Sequence, residues 1–156
     1  MYIHQLGMNE SLMPVLACMC AGLRRASRAL TQLYEEELRP VGMRATQFTV
    51  LQVLALAGEL TQGELGRMLA MDSTTLTRTL RIMTRHSWIS KRRGSDRREW
   101  RLRLSKAGET QLKRALPPWE KVQTQLRRQL GVGQWEELGK LTDNVTNLVT
   151  EREHLS

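Results

Sequence analysis

The chain has 156 residues and a formal net charge of +8, which suits one compact domain or one domain with helical extensions. No apolar run reaches the roughly 18 to 20 residues that span a bilayer, and the first eleven residues lack the Lys or Arg of a signal peptide. These features argue against a secreted or membrane-spanning protein, and we expect a cytoplasmic one without a membrane partner.

The positive charge is concentrated in one block of the chain. Residues 72–114 contain thirteen Lys or Arg and four Asp or Glu, whereas the remaining residues contain eleven basic and twelve acidic side chains. A basic block on an otherwise neutral chain indicates a polyanionic partner, either nucleic acid or an anionic membrane surface. The alternative is a solvated basic face without any partner.

The N-terminal region is predicted to form a long helix with an apolar seam. The helix should end near Arg39, because Pro40 disfavours the α conformation before it and Gly42 follows. We predict a dimerisation helix over residues 12–39. Apolar or small residues recur in it at the heptad spacings 3, 4, 3, 4 and 3. They are Leu16, Met19, Leu23, Ala26, Leu30 and Leu33.

A second helix is predicted over residues 45–56 and should end at Gly58. Its beginning is less well defined by the sequence, since Arg44 stands where an N-cap is expected and Arg is a poor N-cap. The pattern of apolar residues places three side chains on the inward face. They are Phe48, Leu51 and Leu54.

Two further helices are predicted, separated by a tight turn. Thr61 and Glu64 form a T-x-x-E capping box that begins a short helix over residues 62–69. Asp72 or Ser73 then caps a helix that reaches about Arg85. The apolar face of this last helix consists of Leu76, Leu80 and Met83, and its polar face carries Ser73, Thr74, Thr77, Arg78, Arg81 and Arg85.

A β-hairpin is predicted next, with strands over residues 89–93 and 99–104 and a turn at residues 94–96. Alternation places apolar side chains on one face of the returning strand and Arg on the other. We expect the apolar face to anchor the hairpin and the Arg-rich face and tip to stay free for phosphates. The apolar residues are Trp100, Leu102 and Leu104; the basic ones are Arg101 and Arg103.

The C-terminal region, residues 105–153, is predicted to form helices that complete a dimer interface. Ser105 caps a long helix that the pair Pro117-Pro118 should kink, and Gly131 and Gly133 should break the chain. The last helix again shows apolar spacings of 3, 4 and 3. These apolar residues are Leu138, Leu141, Val145 and Leu148.

A short helix, a tight turn, a helix with a basic polar face and a hairpin are typical of a winged helix-turn-helix domain, here residues 45–104. The predicted fold is mainly α with a small β-hairpin wing, plus N- and C-terminal dimerisation helices. A helix fits the major groove of DNA, where Arg78 or Arg81 can pair bidentately with guanine. Ser73, Thr74 and Thr77 can contact phosphates or thymine methyl groups.

The sequence resembles the MarR family of winged-helix transcriptional regulators from Leu16 to about Val149. Three stretches carry the resemblance, namely VGMRATQFTVLQVLA, LTQGELGRMLAMDSTTLTRTLRIM and the wing signature SDRREWRLRLSKAGE. The resemblance implies that Asp96 holds the wing in shape while Arg97 or Arg98 enters the minor groove of duplex DNA, and that the protein is a homodimer.

Two positions depart from the pattern of this family. Ser87 stands where the family usually has Gly, and a left-handed conformation there costs Ser on the order of 1 kcal/mol. Arg44 stands where the family often has Thr or Ser ahead of a helix.

The resemblance also implies a small-molecule effector, which we expect to be a planar aromatic acid or phenol. Arg24 and Arg28 lie off the apolar seam and can hold a carboxylate. Met43, Phe48 and Trp119 are predicted to wall the binding cavity, although each of these residues can equally be solvated or packed in the core. We therefore predict a ligand-responsive repressor that binds an inverted-repeat operator as a homodimer and is released by the effector; activation is the open alternative to repression.

Other functions were weighed against this one. His4, His86 and His154 show no catalytic or metal-ligating spacing, and we predict no enzymatic activity, no cofactor and no metal. Cys18 and Cys20 would point to opposite faces of a helix, which favours small core residues, but a bond between subunits would make the protein a redox-responsive regulator. A ligand-free architectural DNA-binding protein is a further alternative.

Overall fold

The computed structural model describes residues 18–94 and 99–150, and these form a mainly helical fold with a small antiparallel sheet. The predicted fold class is thereby confirmed. In chain order the elements are α1 (Met19–Leu38), a 3₁₀ turn (Arg39–Val41), α2 (Ala45–Ala57), β1 (Glu59–Thr61), α3 (Gln62–Leu69), α4 (Ser73–Arg85), β2 (Ile89–Arg93), β3 (Trp100–Leu104), α5 (Lys106–Leu130) and α6 (Val132–Thr150).

The sheet has one strand more than the sequence predicts. Its strand order is β1-β3-β2, with both pairs antiparallel, so that Leu102 of β3 lies opposite Leu60 on one side and Lys91 on the other. The short strand β1 precedes the helix-turn-helix. By pairing with β3, it holds the returning strand of the hairpin against the domain. Three residues are too few to show the alternation by which a strand is recognised in a sequence.

The hydrophobic core joins the helix-turn-helix to the base of the hairpin. Leu102 is fully buried and Leu104 is partly buried, as predicted, but Trp100 is 45% exposed and does not anchor the wing. Trp100 lies opposite Arg93 at the end of the hairpin next to its turn, where the guanidinium carbon of Arg93 is 4.8 Å from the ring centroid. The largest fully buried side chains are Phe48, Leu38, Leu51, Leu54, Leu65, Leu76, Leu80, Met83, Leu102, Val50 and Val122.

The N-terminus of α2 is capped by a side chain from α1, which compensates for the poor N-cap at Arg44. The backbone N–H of Ala45 donates to Glu35 Oε1 over 2.9 Å, and the guanidinium of Arg44 lies 3.2 Å from Glu35 Oε2. The backbone N–H of Arg44 donates to Gln47 Oε1 over 2.9 Å. A carboxylate at this end of the helix also interacts favourably with the helix dipole.

Ser87 adopts the left-handed conformation that the sequence led us to expect, with φ of 58°. Its carbonyl accepts a hydrogen bond from the Ser105 hydroxyl, and the Ser105 hydroxyl oxygen accepts one from the N–H of Gly108 over 3.0 Å. A Cβ at Gly108 would collide with the carbonyl of Trp88. This close approach requires Gly where α5 begins against the end of the helix-turn-helix.

Helix α5 runs without interruption through Pro117 and Pro118, and the predicted kink at this pair stays a prediction. Each proline removes only one backbone hydrogen bond, and the buried side chains of Ala115 and Val122 hold the helix to the core on both sides of the pair. Gly131 does end α5, with φ of 78°, but Gly133 lies inside α6 and breaks nothing.

The helical ends of the chain leave apolar side chains uncovered. Met19 and Leu23 of the α1 seam are exposed, and so are Leu138 and Leu141 of α6. Cys18 and Cys20 are exposed as well, so the expectation that they are core residues is wrong for the single chain. Leu16 lies outside the described residues, as do parts of the predicted segments 12–39 and 105–153, and the division into domains stays a prediction.

No helix within residues 18–94 and 99–150 is both long enough and apolar enough to cross a membrane.

Candidate nucleic-acid interface

Helix α4 begins at a well-formed cap that fixes its first turn. Asp72 Oδ1 accepts from the backbone N–H of Thr75 over 2.9 Å, and Asp72 Oδ2 accepts from the Thr75 hydroxyl over 2.6 Å. These hydrogen bonds, that of the hydroxyl first, lower the pKa of the Asp72 carboxyl below its ordinary value. The carboxylate therefore stays charged at neutral pH, and Ser73 and Thr74 lie at a defined helix N-terminus.

The buried face of α4 consists of Leu76, Leu80 and Met83, as predicted. The opposite face bears a shallow depression, open to solvent, with a volume of about 370 Å³. The five residues that line it are those in which the sequence located the DNA-reading surface, apart from the wing. They are Ser73, Thr74, Thr77, Arg78 and Arg81.

The two guanidinium groups of this surface are available to a ligand. Arg78 and Arg81 are exposed, and neither forms an ion pair with any of the residues that the structure describes. Arg side chains that are not held by a carboxylate can offer their planar set of donors to a phosphate or to a guanine edge.

Helix α3 supports α4 through its own N-terminus. Glu64 Oε2 accepts from the N–H of Thr61 over 2.7 Å, and Thr61 Oγ1 accepts from the N–H of Glu64 over 3.1 Å, which confirms the predicted capping box. The hydrogen bond from the Thr61 backbone is the largest cause of the lowered pKa of Glu64. Gln62, which follows Thr61, connects the two helices: its Nε2 donates to Thr77 Oγ1 of α4 over 2.9 Å. The sequence did not predict this contact.

The tip of the wing, residues 95–98, is outside the described residues. The predictions for Asp96, Arg97 and Arg98 fall there and remain predictions. The strands that lead to the tip, β2 and β3, are described.

An acidic residue on β1 holds two of the wing arginines. The guanidinium of Arg92 donates to both carboxylate oxygens of Glu59, over 2.7 and 2.6 Å, and a guanidinium nitrogen of Arg101 lies 3.9 Å from the same carboxylate. Arg101 also lies 2.9 Å from Glu99. The expectation that the Arg-rich face of the hairpin is free is therefore wrong at Arg101, and Arg92, which lies opposite it on β2, is ion-paired as well.

Glu59 was not recognised in the sequence because its partners are 33 and 42 positions away. The hydrogen bond from Arg92 is the largest cause of the lowered pKa of its carboxyl. The sequence offers one weak signal for Glu59, namely an acidic residue in the segment that precedes the basic block.

The residues predicted to bind an effector are only partly brought together. The rings of Phe48 and Trp119 lie with their centroids 5.5 Å apart and line a cavity of about 240 Å³. Met43 is buried in the core beside them and is not among the lining residues. Arg24 and Arg28 are exposed on α1 and line neither this cavity nor the larger cleft beside it.

The larger cleft has a volume of about 860 Å³ and lies between α1, the C-terminal helices and the helix-turn-helix. Its wall is mostly apolar, with contributions from Leu30, Trp135 and Leu138. Tyr34 lines both cavities; its hydroxyl accepts from Gln123 Nε2 over 2.6 Å, and burial raises its pKa. No cluster of potential metal ligands occurs among residues 18–94 and 99–150.

Comparisons with known proteins agree with this geometry. A family model described as MarR family matches residues 43–100. MosR, a transcriptional regulator of M. tuberculosis whose structure contains DNA, is 35% identical, with a TM-score of 0.76 and coverage of 85% of this chain and 96% of MosR. A mutant MarR from E. coli complexed with operator DNA shares the fold, with 22% identity, a TM-score of 0.76 and coverage of 86% and 97%.

A curated relative from Bacillus subtilis (strain 168) gives a shorter match. It is the uncharacterized HTH-type transcriptional regulator YwoH, which is 31% identical over 87 residues. The match covers 56% of this chain and 64% of the length of that relative, which is less than two thirds.

Proposed function

Because this chain belongs to the MarR family of transcriptional regulators, we propose that it binds duplex DNA sequence-specifically and regulates transcription. Members of the family are regulators and not enzymes, in agreement with the sequence prediction. The observation that carries the proposal is the depression on α4, where two arginines and three hydroxyl side chains share one exposed face, and where neither arginine is ion-paired within residues 18–94 and 99–150. The presence of DNA in the structure of MosR supports it.

The residues of that face contact DNA in two ways, through a base and through a phosphate. Arg78 lies in the second turn of α4 and pairs with a base edge, with guanine O6 and N7 as the best acceptors for its two parallel donors. Ser73 and Thr74 at the N-terminus lie where backbone N–H groups and the helix dipole favour a phosphate.

The regulator acts as a homodimer in this proposal. The support comes from the exposed apolar side chains of α1 and α6, which lie on the two ends of the chain that the sequence assigned to dimerisation. A two-fold dimer presents two copies of α4 to successive major grooves, about 34 Å apart, and therefore requires an inverted repeat. The exposed residues are Met19, Leu23, Val132, Leu138, Leu141, Val145 and Leu148.

The experiment that tests this function combines selection and footprinting. Duplexes enriched from a random pool by the purified protein should contain an inverted repeat, and the footprint should have two-fold symmetry. Affinity should fall steeply between about 50 and 200 mM salt, because many phosphates are neutralised in the complex. A footprint without symmetry, or an affinity that salt does not change, would contradict the proposal.

The proposal includes repression that a small aromatic acid or phenol relieves. The apolar cleft between the helical ends and the helix-turn-helix supports it, because a ligand there touches both the dimerising helices and the support of α4. The ligand must favour a spacing of the two α4 helices that does not fit DNA, since equal affinity for both states shifts nothing. An anchoring role for Arg24 and Arg28 gains no support from the cavities and stays a prediction.

A thermal-shift panel of benzoates, cinnamates and phenols tests the effector. At least one compound should stabilise the protein and release DNA, and the shift should be smaller in Arg24→Ala or Arg28→Ala than in Arg25→Ala, an exposed control on the same helix. Stabilisation that is equal in all three variants would remove the arginines from the site. Absence of any stabilisation would favour the ligand-free architectural role or a regulator that responds through Cys18 and Cys20.

A further inference from the structure

The threonines of α4 differ in what their hydroxyl groups do. Thr75 donates to Asp72 Oδ2 over 2.6 Å, Thr79 donates to the carbonyl of Thr75 over 3.0 Å, and Thr84 donates to the carbonyl of Leu80 over 2.8 Å. Each of these hydroxyl hydrogens is used inside the protein. The bond to the carbonyl four residues back is the usual choice for Thr in a helix.

Thr77, which lies on the surface that faces the proposed DNA ligand, differs from these three threonines. Its Oγ1 accepts a hydrogen bond from Gln62 Nε2 over 2.9 Å, and within residues 18–94 and 99–150 its own hydrogen has no acceptor. A hydroxyl has one hydrogen to donate and two lone pairs to accept with. The amide of Gln62 occupies one lone pair on the side of α3, and the hydroxyl hydrogen stays available to a ligand in the depression that Thr77 lines.

We propose that Gln62 is a specificity-determining positioning residue, which acts through Thr77 by turning that hydroxyl into a hydrogen-bond donor for a base edge in the major groove. The inference rests on the proposed DNA-binding function. Gln62 lies in the first turn of α3, whereas Thr77 and the proposed DNA-binding surface belong to α4. A residue in that position sets base preference without having to touch the base.

The hydrogen-bonding groups of the bases determine which bases Thr77 should prefer. In the major groove guanine offers N7 and O6, adenine N7 and thymine O4 as acceptors, whereas the polar group that cytosine offers is an N–H₂ donor. A threonine that is free to rotate can bond to either kind of edge. With one lone pair taken by Gln62, Thr77 offers its hydrogen more readily than its oxygen, and it therefore favours an acceptor over cytosine at one position of each half-site.

The test compares four variants with the wild-type chain on DNA pools randomised around the wild-type motif. Gln62→Met and Thr77→Val remove the hydrogen bond while nearly keeping side-chain size, and both should lose discrimination by about threefold to tenfold at the same base pair of each half-site. Gln62→Glu should also lose it, because a carboxylate accepts the hydroxyl hydrogen that the base would receive. Thr77→Ser keeps a hydroxyl and should preserve the preference.

Two measurements separate positioning from stability. The double variant Gln62→Met, Thr77→Val should lose no more discrimination than either single variant, because both changes break one interaction. Gln129→Met, a change at an exposed glutamine of α5, should leave all preferences intact, and thermal unfolding should verify that each variant is folded.

Three outcomes would overturn the inference. They are an unchanged motif in Gln62→Met, an equal loss of affinity on every sequence, and additive losses in the double variant. Each of these leaves the proposed function in place as long as the wild-type chain enriches a motif. A wild-type chain that enriches no motif overturns both the proposed function and the role of Gln62.

Discussion

Helices α2 and α6 are both rich in apolar residues, but they differ in what covers those residues. Phe48, Leu51 and Leu54 of α2 are buried by other elements of the same chain. Leu141 and Val145 of α6 are 55% and 42% exposed, so the described residues leave about half of each side chain uncovered. The winged region therefore completes its core within one chain, whereas the helical ends present a surface that a second copy can cover.

The contrast shows why apolar spacing alone does not reveal the partner of a helix. A stripe of Leu and Val at spacings of 3 and 4 predicts one apolar side, and the same pattern serves a core or an interface equally well. What distinguishes the two regions is the presence of neighbours from distant parts of the chain. Substitutions in the two regions test this difference.

Leu51→Ala should have the largest effect on stability. Leu51 is fully buried in α2, and truncation of a core Leu costs about 2 to 5 kcal/mol through lost burial and the cavity left behind. Leu56→Ala on the same helix is the matched control, because Leu56 is 88% exposed and its truncation should change stability by less than about 0.5 kcal/mol. Urea unfolding measures both. Similar losses in the two variants would contradict the assignment of α2 to a core.

Leu141→Ala should weaken dimerisation. A Leu side chain buried in an interface contributes at least about 1.5 kcal/mol, and a two-fold interface contains it twice, so the dimer dissociation constant should rise by about 100-fold or more. Asp143→Ala, two positions away on α6, should change it little. Sedimentation equilibrium measures the dimer dissociation constant of both variants. If Leu141→Ala leaves this constant unchanged, α6 is not part of the interface.

Ser87→Gly should stabilise the winged region by about 0.5 to 1 kcal/mol, because Gly adopts the positive φ of this position without the steric cost that Ser bears. The expected rise in the midpoint of thermal unfolding is a few degrees. Ser90→Gly, in β2, should lower it, since Gly weakens a strand. A lower midpoint in Ser87→Gly would mean that the Ser87 side chain contributes more than its backbone strain costs.

The pH dependence of stability should be the smallest of these effects. The pKa of Asp72 is lowered in the folded state, so its contribution is present above the ordinary carboxyl pKa of about 4 and is lost as pH falls through the lower, folded value. Asp72→Asn keeps an acceptor for the Thr75 N–H but does not titrate. Urea midpoints at pH 7 and pH 3 should therefore differ less in Asp72→Asn than in the wild type. Equal differences would contradict the role of the ionised cap.

The local signals of the sequence predicted the helix-turn-helix well. The capping box at Thr61 and Glu64 defined α3 to the residue, and Asp72 or Ser73 placed the start of α4 to within one position, because caps depend on hydrogen bonds within three or four positions. The five residues of the α4 surface were predicted together for the same reason, since a helix of known start and buried face has a known opposite face.

The features that the sequence did not predict all depend on distant residues. Strand β1 was missed because its identity comes from pairing with β3, forty-odd positions away. The Glu59–Arg92 pair, the Glu35 cap on α2 and the Gln62–Thr77 hydrogen bond join elements whose relative placement no local pattern records. Helix α5 continues through Pro117-Pro118 because its packing outweighs two lost hydrogen bonds, and that packing also involves distant residues.

One ratio of affinities tests whether Arg78 on α4 reads a base. The ratio is the affinity for the duplex selected by the wild type divided by the affinity for a scrambled duplex, measured at a single salt concentration. Arg78→Ala should lower this ratio by about 5- to 150-fold, which corresponds to about 1 to 3 kcal/mol of base discrimination. Arg128→Ala, which removes the same charge from an exposed site at the end of α5, should leave the ratio unchanged. An Arg78→Ala ratio equal to that of Arg128→Ala would contradict base reading by α4.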